Sequence, residues 1–249
     1  NHPPWFIETN EIMRDNKPLY ATEYSDIYRG VWVGKAQVVI KYMRNMADRD
    51  PSAVQEWLDT WYSLRHDHIV MFLGGNLDVI PPFIVTRYKS NGNILNYLQT
   101  LDWKEDKINH YVYSIANAIA YLHTRKIVHG DIRTANMLID ADGKVKLMFV
   151  FHETKVDEER LRWQAPELLV GDGPTASFPG DVYAFGCFVY ELLSKGRVPF
   201  ENIHTESLAR HLNNGYHLED PLDLTSSQNL KRLWDVAMPC WDLDPIHRP

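Results

Sequence analysis

From Ile127 to Phe151 the sequence sets apolar runs on either side of a polar loop and a turn. It runs Ile127-Val128-His129-Gly130-Asp131-Ile132-Arg133-Thr134-Ala135-Asn136, then Met137-Leu138-Ile139, then Ala141-Asp142-Gly143, then Val145 to Phe151. Asp-Gly between two apolar runs is the strongest short-range signal for a hairpin, so the stretch is expected to fold as strand, loop and strand. Upstream, Ile108, Val112, Ile115, Ile119 and Leu122 recur at helical spacing, which predicts a buried helix over Ile108 to His123 that delivers the loop. The polar residues of the loop therefore sit on a rigid support.

At 249 residues and 45 % hydrophobic, the chain can bury a large core and lies near the size at which single cores split. A net charge of -7 with no Lys/Arg run argues against a nucleic-acid partner. Eight Trp and thirteen Tyr mark a packed chain and exclude disorder. The two cysteines, Cys187 and Cys240, lie in apolar helical patterns and are expected to be buried reduced thiols, in keeping with a cytoplasmic, intracellular compartment. The longest apolar run, Val182 to Leu193, contains Gly186 and Glu191 and is too short to span a membrane, so it is expected to be a core helix. The chain opens without Met and stops at Arg248-Pro249, which suggests a domain within a longer protein.

The loop His129-Gly130-Asp131-Ile132-Arg133-Thr134-Ala135-Asn136 resembles the protein kinase catalytic loop H-R-D-L-x-x-x-N, with Gly130 in place of the Arg. Other landmarks agree with the resemblance. Val38-Val39-Ile40-Lys41 is similar to V-A-I-K, Trp163-Gln164-Ala165-Pro166-Glu167 to the A-P-E region, and Asp181-Val182-Tyr183-Ala184-Phe185-Gly186 to D-V-x-x-F-G. The Arg-Trp-Gln-Ala-Pro-Glu and Cys-Trp pieces lean toward the tyrosine-kinase-like group. The resemblance implies an α+β, bilobal fold: a lead-in over 1–18, a small β-rich lobe over 19–88 and a large helical lobe over 89–249.

The resemblance also assigns roles residue by residue. Lys41 would pair with nucleotide phosphates, Thr86 would be the gatekeeper, and Tyr88, Asn93 and Leu138 complete the implied cofactor-binding set. Asp131 would orient the substrate hydroxyl, Arg133 would stabilise the transferring phosphate, and Asn136 would hold a metal. Asp181 would bind the catalytic-loop backbone and Glu167 would pair with Arg248.

Against these stand three departures. The D-F-G counts forward onto Phe149-Val150-Phe151, so the metal-ligating Asp is replaced by Phe149, which has no oxygen to offer a hard cation. The lid glycines fall on Tyr20, Thr22 and Ser25, where a Cβ crowds backbone approach to phosphates. The helix Glu that should pair with Lys41 counts onto Trp57, with Glu56 about 100° round the helix. The phosphorylatable residue of the short activation segment reduces to Thr154, and Asp157-Glu158-Glu159-Arg160 is expected to be a solvated loop.

These departures lead to the expectation of a catalytically dead or severely impaired pseudokinase. Such a domain would act in signalling as a scaffold or allosteric regulator of a protein partner, such as an active kinase. ATP binding is expected to be weak or lost and magnesium binding doubtful. The alternatives are a weakly active Ser/Thr kinase using Lys41, Asp131 and Asn136, with Glu153 helping to hold a metal, and a nucleotide sensor without transfer.

Overall fold

The structure, a computed structural model, describes residues 2–22, 25–44, 49–151, 158–169, 176–223 and 225–249. Glu153, Thr154 and Asp157, named above, lie outside the described residues. The chain divides into two compact units, the first ending at Ser90 and the second beginning at Asn91.

The first unit is an antiparallel sheet with one helix. Its elements are β1 (Ile12–Arg14), β2 (Tyr20–Ala21), β3 (Ser25–Trp32), β4 (Ala36–Met43), α1 (Pro51–Ser63), β5 (Phe72–Asn76) and β6 (Phe83–Arg87). The strand order is β1-β3-β4-β6-β5, with β2 also on β3. A turn over Val33-Gly34-Lys35 joins β3 to β4, closed by the Lys35 N–H donating to the Trp32 carbonyl at 2.9 Å. Alternation along the strands sends Val38, Ile40, Phe83 and Val85 to one face, where they bury Ile7 and Ile12 in a common core.

The lead-in docks on this sheet. Phe6 bridges Gly75 in parallel, the Ile7 N–H donates to the Gly75 carbonyl, and the Asn76 amide donates to the Ile7 carbonyl. Trp5 is buried and its indole N–H donates to Asp59 Oδ1 of α1 at 2.7 Å. Helix α1 begins at Pro51, with Asp50 accepting from the Ser52 N–H as its cap, and buries Val54, Leu58 and Trp61. Trp61 stacks on Phe72 of β5 at 5.0 Å, so aromatic rings fasten the helix to the sheet edge.

The second unit is built around α4 (Phe178–Leu193), nearly all of it buried. With it are α2 (Ile94–Thr100), α3 (Glu105–Thr124), β7 (Met137–Ile139), β8 (Val145–Leu147), α5 (Thr205–Asn213) and α6 (Gln228–Ala237). Every apolar position that predicted α3 is buried: Ile108, Val112, Ile115, Ile119 and Leu122. Gly186 of α4 has no room for a Cβ, which would lie 2.6 Å from Trp241 Nε1 and 2.9 Å from Cys240 Cβ. Cys187 and Cys240 are both buried thiols, and burial pushes Cys240 up to about 11. Among the described residues no helix is long and apolar enough to cross a membrane.

The predicted hairpin forms, with Met137 facing Leu147 and Ile139 facing Val145. Its second strand is shorter than expected, ending at Leu147 rather than running to Phe151. The reason is local: the Met148 N–H still donates to the Asn136 carbonyl, but the Met148 carbonyl turns to the His129 ring at 2.8 Å.

Candidate functional site

In the first unit, strand register places Lys41 and Thr86 on one sheet face. Tyr20 pairs with Ile27, Ile27 with Lys41 and Lys41 with Ile84, so one row crosses four strands. The neighbouring row is Arg29, Val39 and Thr86. Lys41 is half-buried and Thr86 buried. The Tyr88 N–H donates to the Gln37 carbonyl, and the Arg29 guanidinium stands 5.0 Å over the Tyr88 ring. Tyr20 and Arg29 therefore bring a ring and a cation onto the face that carries Lys41. Glu56 is exposed, on the side of α1 opposite Val54, Leu58 and Trp61, while Trp57 packs on Trp61 at 5.4 Å. Trp57, onto which the family's helix Glu counts, thus packs beside the inward stripe of α1.

In the second unit the catalytic-type loop is hung from α4. Asp181, 1 % exposed, accepts from the His129 N–H at 2.8 Å and the Gly130 N–H at 2.7 Å, and His123 Nε2 lies 2.8 Å from its Oδ2. His129 accepts the Asp131 N–H at Nδ1, so its other nitrogen carries the proton that meets the Met148 carbonyl. Gly130 has φ 73°, a left-handed backbone that costs an L side chain roughly 1–2 kcal/mol and glycine nothing comparable. Glu191, also from α4, is buried and accepts from the Thr134 N–H at 3.0 Å, the Thr134 hydroxyl at 2.6 Å and the Trp163 indole at 2.9 Å. Burial raises the Glu191 carboxyl above its ordinary range despite these donors.

This scaffold presents Asp131 and Asn136 together. The Asn136 amide donates to the Asp131 carbonyl and to its Oδ2, both at 2.8 Å. Arg133 Nε is 3.3 Å from Asp131 Oδ1, and its guanidinium lies 5.5 Å over the Trp163 ring. A second cation reaches the same carboxylate, with Arg160 Nε 3.6 Å from Oδ1 and its Nη2 donating to the Gly130 carbonyl at 3.1 Å. Arg160 was expected in a solvated run, yet its side chain is only 13 % exposed. The opposite charge on Asp131 was the signal in the sequence, but spacing alone could not show that the two would meet. Asn93 and Leu138 are also brought together, as bridge partners. Asn93 uses its side chain structurally, capping α2 through the Leu95 N–H and donating to the Thr134 carbonyl.

Among the described residues no group of three or more His, Cys, Asp or Glu side chains gathers as a metal site. Phe149, onto which the family's metal-binding Asp counts, is buried with its ring edge-on to His129 at 6.1 Å, and a hydrocarbon ring offers a hard cation no oxygen.

A sheet unit followed by a helical unit, with an Asp/Asn loop held on a buried helix by an Asp, is the architecture of a protein kinase domain. The chain belongs to the protein tyrosine and serine/threonine kinase family, which it matches over residues 13–249. It is similar to mouse tyrosine-protein kinase Fgr, 27% identical over 258 aligned residues covering 98% of this chain and 48% of that relative. The chain thus spans about half the length of that relative.

Proposed function

We propose that this domain is a pseudokinase of the tyrosine-kinase-like group, dead or severely impaired in phosphoryl transfer. It would work in the cytoplasm as a scaffold or allosteric regulator of a protein partner, of which an active kinase is the type expected. The observation that carries this reading is Phe149, a buried ring at the position where the family's metal-binding Asp is counted. Phosphoryl transfer rests on positioning and on neutralising charge in the transition state, so losing the main metal ligand costs on the order of 10³-fold or more in rate. Trp57 in place of the helix Glu and Tyr20 at the lid support the same reading from the other unit.

A weak Ser/Thr kinase is the second reading. It is favoured by one observation, the pair of 2.8 Å bonds from Asn136 that keep Asp131 and Asn136 together.

The test is the melting temperature of the domain with ATP, with and without magnesium. Binding to the folded state alone adds about 2.7 kcal/mol at a hundredfold excess over the dissociation constant, so modest affinity is visible. The pseudokinase reading expects no magnesium-dependent shift. A magnesium-dependent shift, with phosphate transfer lost in Asp131→Ala, would establish the weak kinase instead.

A further inference from the structure

We infer that Arg160 is a built-in stopper of the catalytic loop, holding residues 158–163 over the Asp131 carboxylate where a substrate hydroxyl would have to donate. The inference deepens the reading above and rests on its placing Asp131 at the acceptor position.

The geometry is a closed set of contacts. Asp131 is 8 % exposed, and both its oxygens are engaged: Oδ2 accepts from Asn136, and Oδ1 faces Arg133 Nε at 3.3 Å and Arg160 Nε at 3.6 Å. Arg160 does not rest on the carboxylate alone. Its Nη2 also donates to the Gly130 carbonyl at 3.1 Å, so one guanidinium meets two successive loop residues, one by a hydrogen bond and one by charge alone. Gly130 has no side chain to stand in the way of that approach.

The stretch that carries Arg160 is itself fastened. Arg162, two residues on, donates to the carbonyls of Phe200 and Ile203, the latter at 3.0 Å, and Trp163 donates to Glu191. The 3-10 turn over Glu158–Trp163 is thereby fixed, and Arg160 is aimed inward along one wall of the cleft it shares with Asp131, Trp163 and Asp181. Asp131 and Asp181 both line that wall beside Arg160. An acidic group or phosphate that drew Arg160 away would expose Asp131 and loosen the turn.

The experiment is carboxylate footprinting of the intact domain with a carbodiimide and an amine, without nucleotide, read residue by residue by peptide mass spectrometry. In Arg160→Gln, labelling of Asp131 is expected to rise about three- to fivefold, the effect that losing one partly exposed ion pair carries. Exposed Asp142, away from this cleft, is expected to stay unchanged as an internal reference. Arg160→Lys is expected to give an intermediate rise, because an ammonium can neutralise Oδ1 but lacks the second arm for the Gly130 carbonyl. Equal labelling of Asp131 in wild type and in either variant that melts cooperatively overturns the inference. If Arg160→Gln does not fold, Arg160→Lys decides alone. The footprint contains neither ATP nor magnesium, so the stopper and the pseudokinase reading can each fail without the other.

Discussion

Glu191 ties the loop at Thr134 to Trp163, since one carboxylate receives three donors from these two residues. An ionised carboxyl is acceptor-only and suits that task, but burial is the larger effect and lifts its folded-state affinity for a proton above the ordinary value of 4.5. The linkage sign follows. Where the folded pKa exceeds the unfolded one, the folded state binds more protons, so stability is fullest below the unfolded pKa and falls as pH rises through the folded one. Glu191→Gln removes this dependence and can keep the contacts: its carbonyl oxygen can accept the Thr134 N–H and the indole, and its amide can donate to a reoriented Thr134 hydroxyl. The variant is expected to lie within about 1 kcal/mol of wild type at pH 5 and to gain on it as pH rises to 8, by urea unfolding. A constant difference between the two pH values would assign no titration to Glu191. At this scale the sequence showed polar residue types at family spacings, which was enough for Asp131, Asn136 and Asp181. It did not show Glu191 or Arg160 as loop-contacting residues, because their partners lie 57 and about 30 residues away and meet them only through the fold.

Among the elements, α1 shows how one substituted position changes what a helix does. Its inward stripe is Val54, Leu58 and Trp61, and rings rather than an ion pair continue the contact: Trp57 on Trp61, Trp61 on Phe72, and Trp5 on Phe72 at 5.8 Å. Trp5 adds a polar tie, its indole donating to Asp59, which also accepts from Gln55 at 3.2 Å. Trp5→Phe keeps most of the buried ring and removes that donor, and is expected to cost about 1.5–3 kcal/mol as a hydrogen bond to a charged group. Trp5→Ala also opens a cavity and is expected to cost about 3–5 kcal/mol. Guanidinium unfolding of both variants checks the order, and a Trp5→Phe as costly as Trp5→Ala would mean that the indole N–H, not the ring, fastens the lead-in. A lead-in over 1–18 was legible in the sequence. Its target was not, because an edge strand such as β5 is recognised by a partner's backbone and Gly75 carries no side chain to advertise it.

For the molecule as a whole, the periodic patterns proved the most readable: α3 and the apolar α4 follow from spacing, and the family landmarks ordered them. The short strand β8 was less readable, since its end is set by His129 rather than by its own apolar run. The second unit is closed by a pair that the family resemblance did anticipate. Arg248 grips Glu167 with both arms, Nη1 to Oε1 at 2.6 Å and Nη2 to Oε2 at 2.8 Å, and donates further to the carbonyls of Pro179 and Asp242. Its guanidinium also lies 5.2 Å over the buried ring of Tyr183. One side chain thus ties the Pro166–Leu168 turn, the start of α4 and the turn after Trp241. Arg248→Met leaves Glu167 without its cation and the two carbonyls without their donor. The expected loss is about 3 kcal/mol, the low end for a broken buried pair because Glu167 keeps 29 % of its side chain in water. That corresponds to a fall of roughly 6–12 °C in melting temperature for a unit of this size. Arg248→Lys keeps the charge but not the fork and should fall between the two. A melting temperature for Arg248→Met within a degree or two of wild type would mean that α4 and its apolar packing hold these three stretches without the ion pair.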